Sequence, residues 1–408
     1  MIREKICEAI TLKKLKKIVI DLRNAYRDMD KVLFFVAALL FVFGLINILT
    51  ASSREAVVNN GVSMTYYFKK QLEALIIAFF ACNVIYIIPT KKYYKYMFIL
   101  YVFIMGLIGY LVIWGKEING AKNWLTFKYI KFSFQPSEVM KIIVICALAL
   151  LFEKYYRSLK DKFTSKNKLN HIYIYIITCF MAPMLLIFLQ KDLGTMFVIF
   201  VIAAVLYLLS PINNKDKFKM IGYAAGLGII GLLIIFAIKG SILTPAQKAR
   251  LTNFFKPCDT YETGGYQVCN CFIAINNGGL FGVGPGKSTQ KYSFIPEPHT
   301  DSVFAIFAEE YGVLGAIVLF FFYLVIIKRI INISSNAKTI RGRFITLGIA
   351  IYIMCHIFIN LGGIFGLIPL TGIPLPFLSY GGTYAITLAV AIAIVERIDI
   401  ESKKQIEI

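Results

Sequence analysis

Apolar stretches of about twenty residues recur along this chain from Val32 to Val395, and this recurrence strongly constrains its fold. An apolar helix of roughly 20 residues is long enough to cross the hydrocarbon core of a bilayer. Only helices and closed β-barrels cross lipid with every backbone group hydrogen-bonded. The stretches are continuous in apolar character rather than alternating, which excludes a barrel. The sequence therefore predicts an all-α polytopic membrane protein.

The pattern predicts ten transmembrane helices within a single domain, residues 32–397. No cleavable signal peptide is expected before them, because the first 31 residues carry nine Lys or Arg and no apolar core segment. Residues Ile10–Tyr26 instead predict a basic amphipathic helix on an anionic membrane face, and 398–408 a cytoplasmic tail. The ten predicted spans are Val32–Thr50, Leu72–Pro89, Tyr96–Trp114, Pro136–Phe152, Ile172–Leu189, Thr195–Ser210, Ile221–Ile238, Ser302–Ile327, Phe344–Phe365 and Tyr380–Val395.

The formal net charge of +21 raises the question of a nucleic-acid partner, and its distribution argues against one. With the N-terminus placed inside, the inner segments hold 29 of the 44 Lys and Arg residues and the longer outer loops hold 14. Positive charge concentrated on alternate loops indicates orientation in a membrane. The sequence predicts a multi-pass protein of the bacterial inner membrane with both termini in the cytoplasm.

Three outer loops depart from the short connections expected of a simple bundle. Residues 239–301 form a loop of about sixty residues between the seventh and eighth spans, and loops of such length are usually functional. Residues 115–135 and the Pro/Gly-punctuated 366–379 form the other two. Of the eight cysteines, Cys258, Cys269 and Cys271 lie in the long loop, and both a disulfide and free thiols are compatible with their spacing.

The segment FQPSEVMK, residues 134–141, combines a helix start with a charge inside the next span. Pro136 suits the first helical position, and Glu138 lies near the positive end of the helix dipole. Lys141 lies more than one turn into the apolar run, where an ionisable side chain marks a functional site unless it reaches the interface. Lys141 is therefore a candidate site residue, with snorkelling as the alternative.

The segment IPEPHTDSVFAIFAEEYG, residues 295–312, carries the second group of candidates. Thr300 or Asp301 has the position of an ordinary helix cap. Asp301 also enters its span from the same side and at about the same depth as Lys141, so we expect these two to form a pair. Helical rotation places Glu309 about 80° from Asp301, where it would line the same cavity, and Glu310 on the opposite side.

The glycine-rich segment GGLFGVGPGKSTQK, residues 278–291, only superficially matches a phosphate-binding loop, because no strand precedes it. A turn that brings backbone N–H groups to a substrate and a flexible loop are equally compatible with its spacing. The turn QKDLGT, residues 190–195, predicts that Asp192 caps the following helix.

Taken together, these segments resemble the SEDS family of shape, elongation, division and sporulation proteins, which includes FtsW, RodA and SpoVE. The resemblance extends from the first span to Gly382. It rests on NGAKNWL (119–125), FQPSEVMK (134–141), QKDLGT (190–195), GVGPGKSTQK (282–291), IPEPHTD (295–301), AEEYG (308–312) and PLTGIPLPFLSYGGT (369–383). Lys122 replaces a usual arginine, which keeps the charge and loses bidentate phosphate binding.

The resemblance implies a peptidoglycan glycosyltransferase that polymerises lipid II at the outer leaflet, with inversion at the anomeric carbon. It implies catalytic roles for Asp301, as the base, and for Lys141, which would hold Asp301 ionised; Glu309 would line the cavity. A class B penicillin-binding protein and other divisome or elongasome proteins are the implied partners. No dedicated metal site is expected, although Mg²⁺ or Mn²⁺ is compatible with the chemistry. The implied substrate-binding residues are Lys122, Trp124, Gln135, Glu138, Arg250, Gln267, Ser288, Lys291, Glu297, His299, Thr300 and Ser379.

Two other functions remain open at this point. A flippase for lipid-linked precursors also needs a polar intramembrane cavity, but it would place polar residues on the cytoplasmic side as well. A non-catalytic scaffold or activator of a penicillin-binding protein would give Lys141 and Asp301 no purpose. The sequence also leaves open whether the protein serves division, elongation or sporulation, with GVGPGKS closer to FtsW-like members.

Overall fold

The computed structural model describes residues 16–58, 61–118, 120–127, 132–160, 166–240, 248, 251, 254, 256–292 and 295–404. Long helices dominate these residues, and each of the ten predicted spans lies on one of them except for at most two residues at an end. The helices are α1 (16–28), α2 (Lys31–Val58), α3 (Tyr66–Ile87), α4 (Tyr93–Trp114), α5 (Pro136–Lys160), α6 (Lys166–Leu189), α7 (Leu193–Leu208), α8 (Asn214–Lys239), α9 (Tyr266–Gly278), α10 (Val303–Asn336), α11 (Ile340–Ile364) and α12 (Gly382–Lys404).

The predicted helical membrane fold is confirmed. Six of the described helices are long and apolar enough to cross a bilayer, namely α2, α3, α4, α6, α10 and α11, and α7 is a shorter apolar helix. Large apolar side chains on α4, such as Phe98 and Phe103, are exposed on the surface of the bundle, as expected for a face that meets lipid. The chain is a multi-pass membrane protein, and a total of ten spans remains a prediction.

Helices α5 and α11 form the centre of the bundle. They pack against each other, and α7, α10 and α12 pack against α11. Most side chains of α5 between Pro136 and Phe152 are buried, and so are most side chains of α11. Gly348 of α11 lies against Ile145 of α5, where a β-carbon would fall within 3.0 Å of the isoleucine side chain. Close helix contact at the centre therefore depends on a small residue.

The segment between α11 and α12 is irregular backbone buried inside the bundle. Residues 369–375 are not helical, as the prolines in PLTGIPLPFLS predict. Leu375 and Leu378 are fully buried. The hydroxyl of Tyr323 on α10 donates to the Pro376 carbonyl at 2.6 Å, and a β-carbon at Gly44 of α2 would fall within 3.0 Å of the Phe377 carbonyl oxygen. Most of this irregular backbone is therefore covered by protein, as irregular backbone at membrane depth requires.

Helix α10 is broken at Gly312, a feature that the sequence did not reveal. Gly312 has φ +65° and ψ −167°, which interrupts the helical hydrogen bonds. The backbone groups on either side pair with the glycine-rich segment: the N–H of Val283 donates to the Glu309 carbonyl at 2.9 Å, and the N–H of Val313 donates to the Gly279 carbonyl at 3.0 Å. The glycine-rich segment therefore supplies backbone partners to a broken helix.

Charges around Asp30 join the helix ends that lie nearest the two termini of the chain. Its carboxylate forms an ion pair with Arg329 of α10, and its N–H donates to Glu396 of α12 at 2.8 Å. Helix α1 docks here, because Ala25 is buried and the Tyr26 hydroxyl donates to Asn83 of α3 at 3.0 Å. The described part of the predicted amphipathic helix thus ends against the bundle, and residues 1–15 lie outside the described residues.

The long loop contains helix α9 and a disulfide between Cys258 and Cys269. The sequence left the state of these cysteines open, and the structure pairs them. Cys271, two residues further along α9, is a buried free cysteine. Burial raises the pKa of its thiol to about 12, so the reactive thiolate is scarce at neutral pH.

Candidate active site

Lys141 lies at the centre of the bundle, fully buried, and it has two polar partners. Its Nζ donates to Glu138 Oε1 at 2.7 Å, one turn earlier on α5, and lies 3.2 Å from His356 Nε2 on α11. The buried ammonium is therefore paired within its own helix and does not snorkel to an interface. The expected salt bridge between Lys141 and Asp301 is not formed, because Lys141 pairs with Glu138, one turn earlier on its own helix. The prediction compared the depths of two residues on separate helices, and it did not consider this nearer partner.

Asp301 lies immediately before α10 and is partly exposed. Its Oδ1 accepts hydrogen bonds from Thr300 Oγ1 at 3.1 Å and, at the limit of 3.5 Å, from Gln267 Nε2 of α9. The N-cap of α10 is the next residue, Ser302, which makes no side-chain cap hydrogen bond within the described part of the chain. Asp301 therefore precedes the N-cap position of α10, and its partner Gln267 belongs to the long loop.

The backbone before Asp301 forms a tight turn. Glu297 is exposed and adopts φ +45°, a conformation that costs energy for a residue with a side chain. Its carbonyl accepts from the N–H of Thr300 at 3.1 Å and from the hydroxyl of Thr300 at 2.9 Å. This turn fixes the direction from which the chain reaches Asp301.

His299 is buried beneath this turn, between aromatic rings and a carboxylate. Its ring centroid lies 4.0 Å from that of Tyr67. Its Nδ1 lies 3.0 Å from Glu55 Oε2, close enough for an ionic contact, although the atoms are not aligned for a hydrogen bond. Its carbonyl accepts from the N–H of Tyr380 at 2.7 Å. These contacts give His299 a structural position, and its predicted contact with substrate remains untested.

Two acidic residues of α10 hold the glycine-rich segment from inside the protein. Glu309 is fully buried and accepts from the hydroxyls of Ser288 and Thr289 and from Asn277 Nδ2 at 3.2 Å. It therefore anchors a turn, and its burial excludes the predicted lining of an open cavity. Ser288 is likewise fully buried, with its hydroxyl committed to Glu309, so the structure gives it no surface for substrate.

Glu310, the second of these acidic residues, holds Lys291. Its Nζ donates to Glu310 Oε1 at 3.0 Å and to the Gly286 carbonyl at 2.6 Å, and 3% of its side chain is exposed. A buried ammonium held by a carboxylate and a carbonyl is not available to a phosphate group. The sequence-based role for Lys291 in substrate binding remains untested, and the structure shows this cation already neutralised by Glu310, which charge pattern alone does not reveal.

The described part of the loop of residues 115–135 contains a short hairpin that leads into α5. Strand β1 (Leu125–Phe127) pairs antiparallel with β2 (Phe132–Phe134). Gln135 follows β2, and its Nε2 donates to Asp192 Oδ2 at 3.2 Å, where Asn123 Nδ2 also donates at 2.7 Å. Asp192 caps α7 as predicted, because its Oδ1 accepts from the N–H of Thr195 at 3.0 Å.

The remaining residues predicted to bind substrate differ in how far they are exposed. The side chains of Lys122 and Trp124 are partly exposed beside the hairpin. Ser379 is buried, and its hydroxyl accepts from the N–H of Leu375 at 2.7 Å, which stabilises the irregular segment. Arg250 lies outside the described residues.

Two residues at the centre were missed by reading the sequence. His356 and Asn360 lie one turn apart on α11, both buried. Asn360 Nδ2 donates to the Asp301 carbonyl at 2.7 Å and to the Ile373 carbonyl at 2.8 Å. The signal was present, because both are polar residues inside an apolar span.

Comparison with known proteins places this arrangement in a family. The sequence model of the FtsW/RodA/SpoVE cell cycle proteins matches residues 30–404. The chain belongs to this family. A Bacillus subtilis (strain 168) protein named "Probable peptidoglycan glycosyltransferase FtsW" is 32% identical over 397 residues, which cover 95% of each chain. A protein of the same name from Wigglesworthia glossinidia brevipalpis is 32% identical over 379 residues, covering 91% of this chain and 93% of the relative.

Solved structures show the same fold at lower identity. A chain of a peptidoglycan synthase complex, described for its coordination of polymerization and crosslinking, superposes with a TM-score of 0.69 at 22% identity and covers 92% of this chain and 98% of its own. The rod shape determining protein RodA of Thermus thermophilus superposes with a TM-score of 0.61 at 20% identity, covering 91% and 96%. Membership of the FtsW/RodA/SpoVE family and the helical membrane fold therefore agree.

Proposed function

We propose that this protein is a peptidoglycan glycosyltransferase that polymerises lipid II into β-1,4-linked glycan strands at the outer leaflet. The observation that carries the proposal is the placement of Asp301. Glu138, Glu309 and Glu310 are buried, whereas Asp301 is partly exposed at the start of α10, beside Gln267 of the long loop. The names of its relatives support the same activity.

In the proposed reaction Asp301 is the general base. Its carboxylate takes the proton of the acceptor sugar's 4-hydroxyl as that oxygen attacks the anomeric carbon of the donor. The bond from the anomeric carbon to the pyrophosphate oxygen breaks, and polyprenyl pyrophosphate leaves with the bonding electrons. A single displacement inverts the anomeric configuration. Thr300 and Gln267 orient the carboxylate that receives the proton.

The proposed role of Lys141 follows from its partners rather than from contact with Asp301. Its ammonium is held by Glu138 on the same helix and by His356 across the bundle. Such a buried, hydrogen-bonded pair resists displacement, because breaking it would leave a charge without a partner. We infer that Lys141 maintains the packing of α5 against α11 beneath the reacting groups.

The departing pyrophosphate needs positive charge, and Lys122 and Arg250 are the proposed sources. Lys122 is partly exposed beside the hairpin, and Arg250 belongs to the long outer loop. Within the described ranges no three His, Cys, Asp or Glu side chains come together as metal ligands. Mg²⁺ or Mn²⁺ bound to the substrate's phosphates would be compatible with this chemistry, and no step above requires it.

The proposed setting is the bacterial inner membrane, with both termini in the cytoplasm and the loop of residues 239–301 outside. The distribution of Lys and Arg supports this orientation, and the disulfide Cys258–Cys269 fits an oxidising outer compartment. A class B penicillin-binding protein is the proposed partner, since the glycan strands require crosslinking, and other divisome or elongasome proteins would join them.

The alternatives of a lipid flippase and a non-catalytic scaffold predict different results in one experiment. The protein is reconstituted in liposomes with fluorescent lipid II, alone and together with its class B penicillin-binding protein. Our proposal predicts glycan strands that lysozyme degrades, with release of polyprenyl pyrophosphate. Lipid II that changes leaflet without forming polymer would favour the flippase. Absence of polymer in both reconstitutions would overturn the proposed activity.

A further inference from the structure

Helix α11 carries two buried polar side chains that the reaction above does not use directly. His356 and Asn360 are four residues apart, so they lie one above the other on the same face of the helix. That face meets both Lys141 on α5 and the irregular segment after α11. Through these two residues α11 contacts both Lys141 and Asp301, the residues to which the family resemblance assigns catalytic roles.

The hydrogen bonds of His356 define its protonation state. Lys141 Nζ can only donate, so His356 Nε2, 3.2 Å away, must accept. The carbonyl of Pro374 can only accept, so Nδ1, at 3.1 Å, must carry the proton. His356 is therefore the neutral Nδ1–H tautomer, and both ring nitrogens are in use. It joins the ammonium of Lys141 to the backbone at Pro374.

Asn360 makes the matching connection one turn further along α11. Both hydrogens of its Nδ2 are used, one on the Asp301 carbonyl at 2.7 Å and one on the Ile373 carbonyl at 2.8 Å. The residue whose backbone it holds is the proposed base. Ile373 and Pro374 are adjacent, so Asn360 and His356 donate hydrogen bonds to neighbouring carbonyls of the same irregular segment.

We propose that His356 and Asn360 are positioning residues that couple Lys141 to Asp301. The direct ion pair that the sequence suggested is replaced by a chain from Lys141 through His356 and the Ile373–Pro374 backbone to Asn360 and the main chain of Asp301. This link fixes the depth of Asp301 along the bundle and the direction of its side chain relative to α5. It rests on the proposed glycosyltransferase function, because its purpose is the placement of the base.

A spectroscopic experiment tests the link without any activity measurement. The chain has three histidines, and ¹⁵N-histidine labelling of the purified full-length protein reports the tautomer of each. The signals of His356 are assigned by their loss in His356→Gln. We expect the neutral Nδ1–H form, with an Nε2 signal that shifts in Lys141→Met. A cationic His356, an Nε2–H tautomer, or signals insensitive to Lys141→Met would overturn the link.

Polymerisation kinetics test the positioning role. His356→Leu removes both hydrogen bonds, whereas His356→Gln keeps one acceptor for Lys141 and one donor for Pro374. Thr346→Val is the matched control, because Thr346 is also buried on α11 but donates only to its own helix, at the Gly342 and Arg343 carbonyls. Each variant is compared at equal amounts of folded, monodisperse protein.

We expect His356→Leu to lower kcat by about 10- to 100-fold, as displacement of a catalytic group by about 1 Å does, with KM within about threefold. His356→Gln should recover most of the lost kcat, and Thr346→Val should match the unmodified protein. A kcat for His356→Leu within twofold of the unmodified protein, or no recovery in His356→Gln, would overturn the positioning role. If the unmodified protein forms no polymer with its partner, the proposed function fails instead, and the histidine spectrum alone decides whether the link exists.

Discussion

Replacing Lys291 with methionine leaves the carboxylate of Glu310 buried without its cation. The pair is almost fully buried, with 3% and 0% of the two side chains exposed. Removing one partner of such a pair costs about 3–5 kcal/mol, because the remaining charge has lost its compensation. We therefore expect Lys291→Met to lower the free energy of unfolding by that amount, measured by denaturant titration in detergent micelles and followed by circular dichroism.

The double variant Lys291→Met/Glu310→Gln removes both charges and should recover part of the loss. The Gly286 carbonyl, which is only partly buried, still lacks its donor, which costs about 1 kcal/mol. A coupling energy of about 2 kcal/mol between the two sites is expected. Lys287→Met is the matched control, since Lys287 is exposed on the same segment, and its effect should stay within about 0.5 kcal/mol.

A different result would restore the original interpretation of Lys291 as a phosphate ligand. In that case Lys291→Met would unfold at the same denaturant concentration as the unmodified protein while losing polymerisation activity. Adding Glu310→Gln would then give no recovery of stability. That combination of results would refute the argument that the buried pair neutralises Lys291.

Three further predictions concern the outer loops and the orientation. Gly282→Ala should destabilise the protein by about 2 kcal/mol or more in the same titration, because Gly282 has φ +80° and a β-carbon there would fall within 3.0 Å of the Glu310 carbonyl oxygen. Gly286→Ala should cost less, because Gly286 also has positive φ but has open space around it. Equal costs for the two variants would contradict the packing of Gly282 against the helix break. In an otherwise Cys-free background, a membrane-impermeant maleimide applied outside should label Lys287→Cys and not Lys160→Cys, and labelling of the latter would reverse the orientation. Mass spectrometry should find Cys258–Cys269 joined in protein kept under oxidising conditions, and its reduction should lower stability by about 3 kcal/mol, whereas two free thiols would contradict the pairing.

The helical segments could be predicted because bilayer thickness fixes the length of an apolar run. Each predicted span lies on a helix, and the prolines of the segment after α11 correctly predicted irregular backbone. The cap formed by Asp192 was also predictable, since it depends only on residues three apart. These features are local, so the sequence contains all the information they require.

Partners across the bundle could not be predicted in the same way. Helical rotation gives the angle between Asp301 and Glu309 on one helix, but it does not show what faces either residue. Lys141 therefore received the wrong partner. The break at Gly312 was hidden for a similar reason: one glycine in an apolar helix is common, and only the glycine-rich segment folded against it makes the break favourable.

The central claim, that Asp301 is the catalytic base, is tested most directly by Asp301→Asn in the reconstituted system. Asparagine keeps the shape of the side chain and its ability to accept a hydrogen bond, but it cannot take the proton. We predict that the purified variant folds, retains its partner and loses lipid II polymerisation by about two to four orders of magnitude. Polymerisation by Asp301→Asn at the rate of the unmodified protein, in a preparation free of other synthases, would contradict the account.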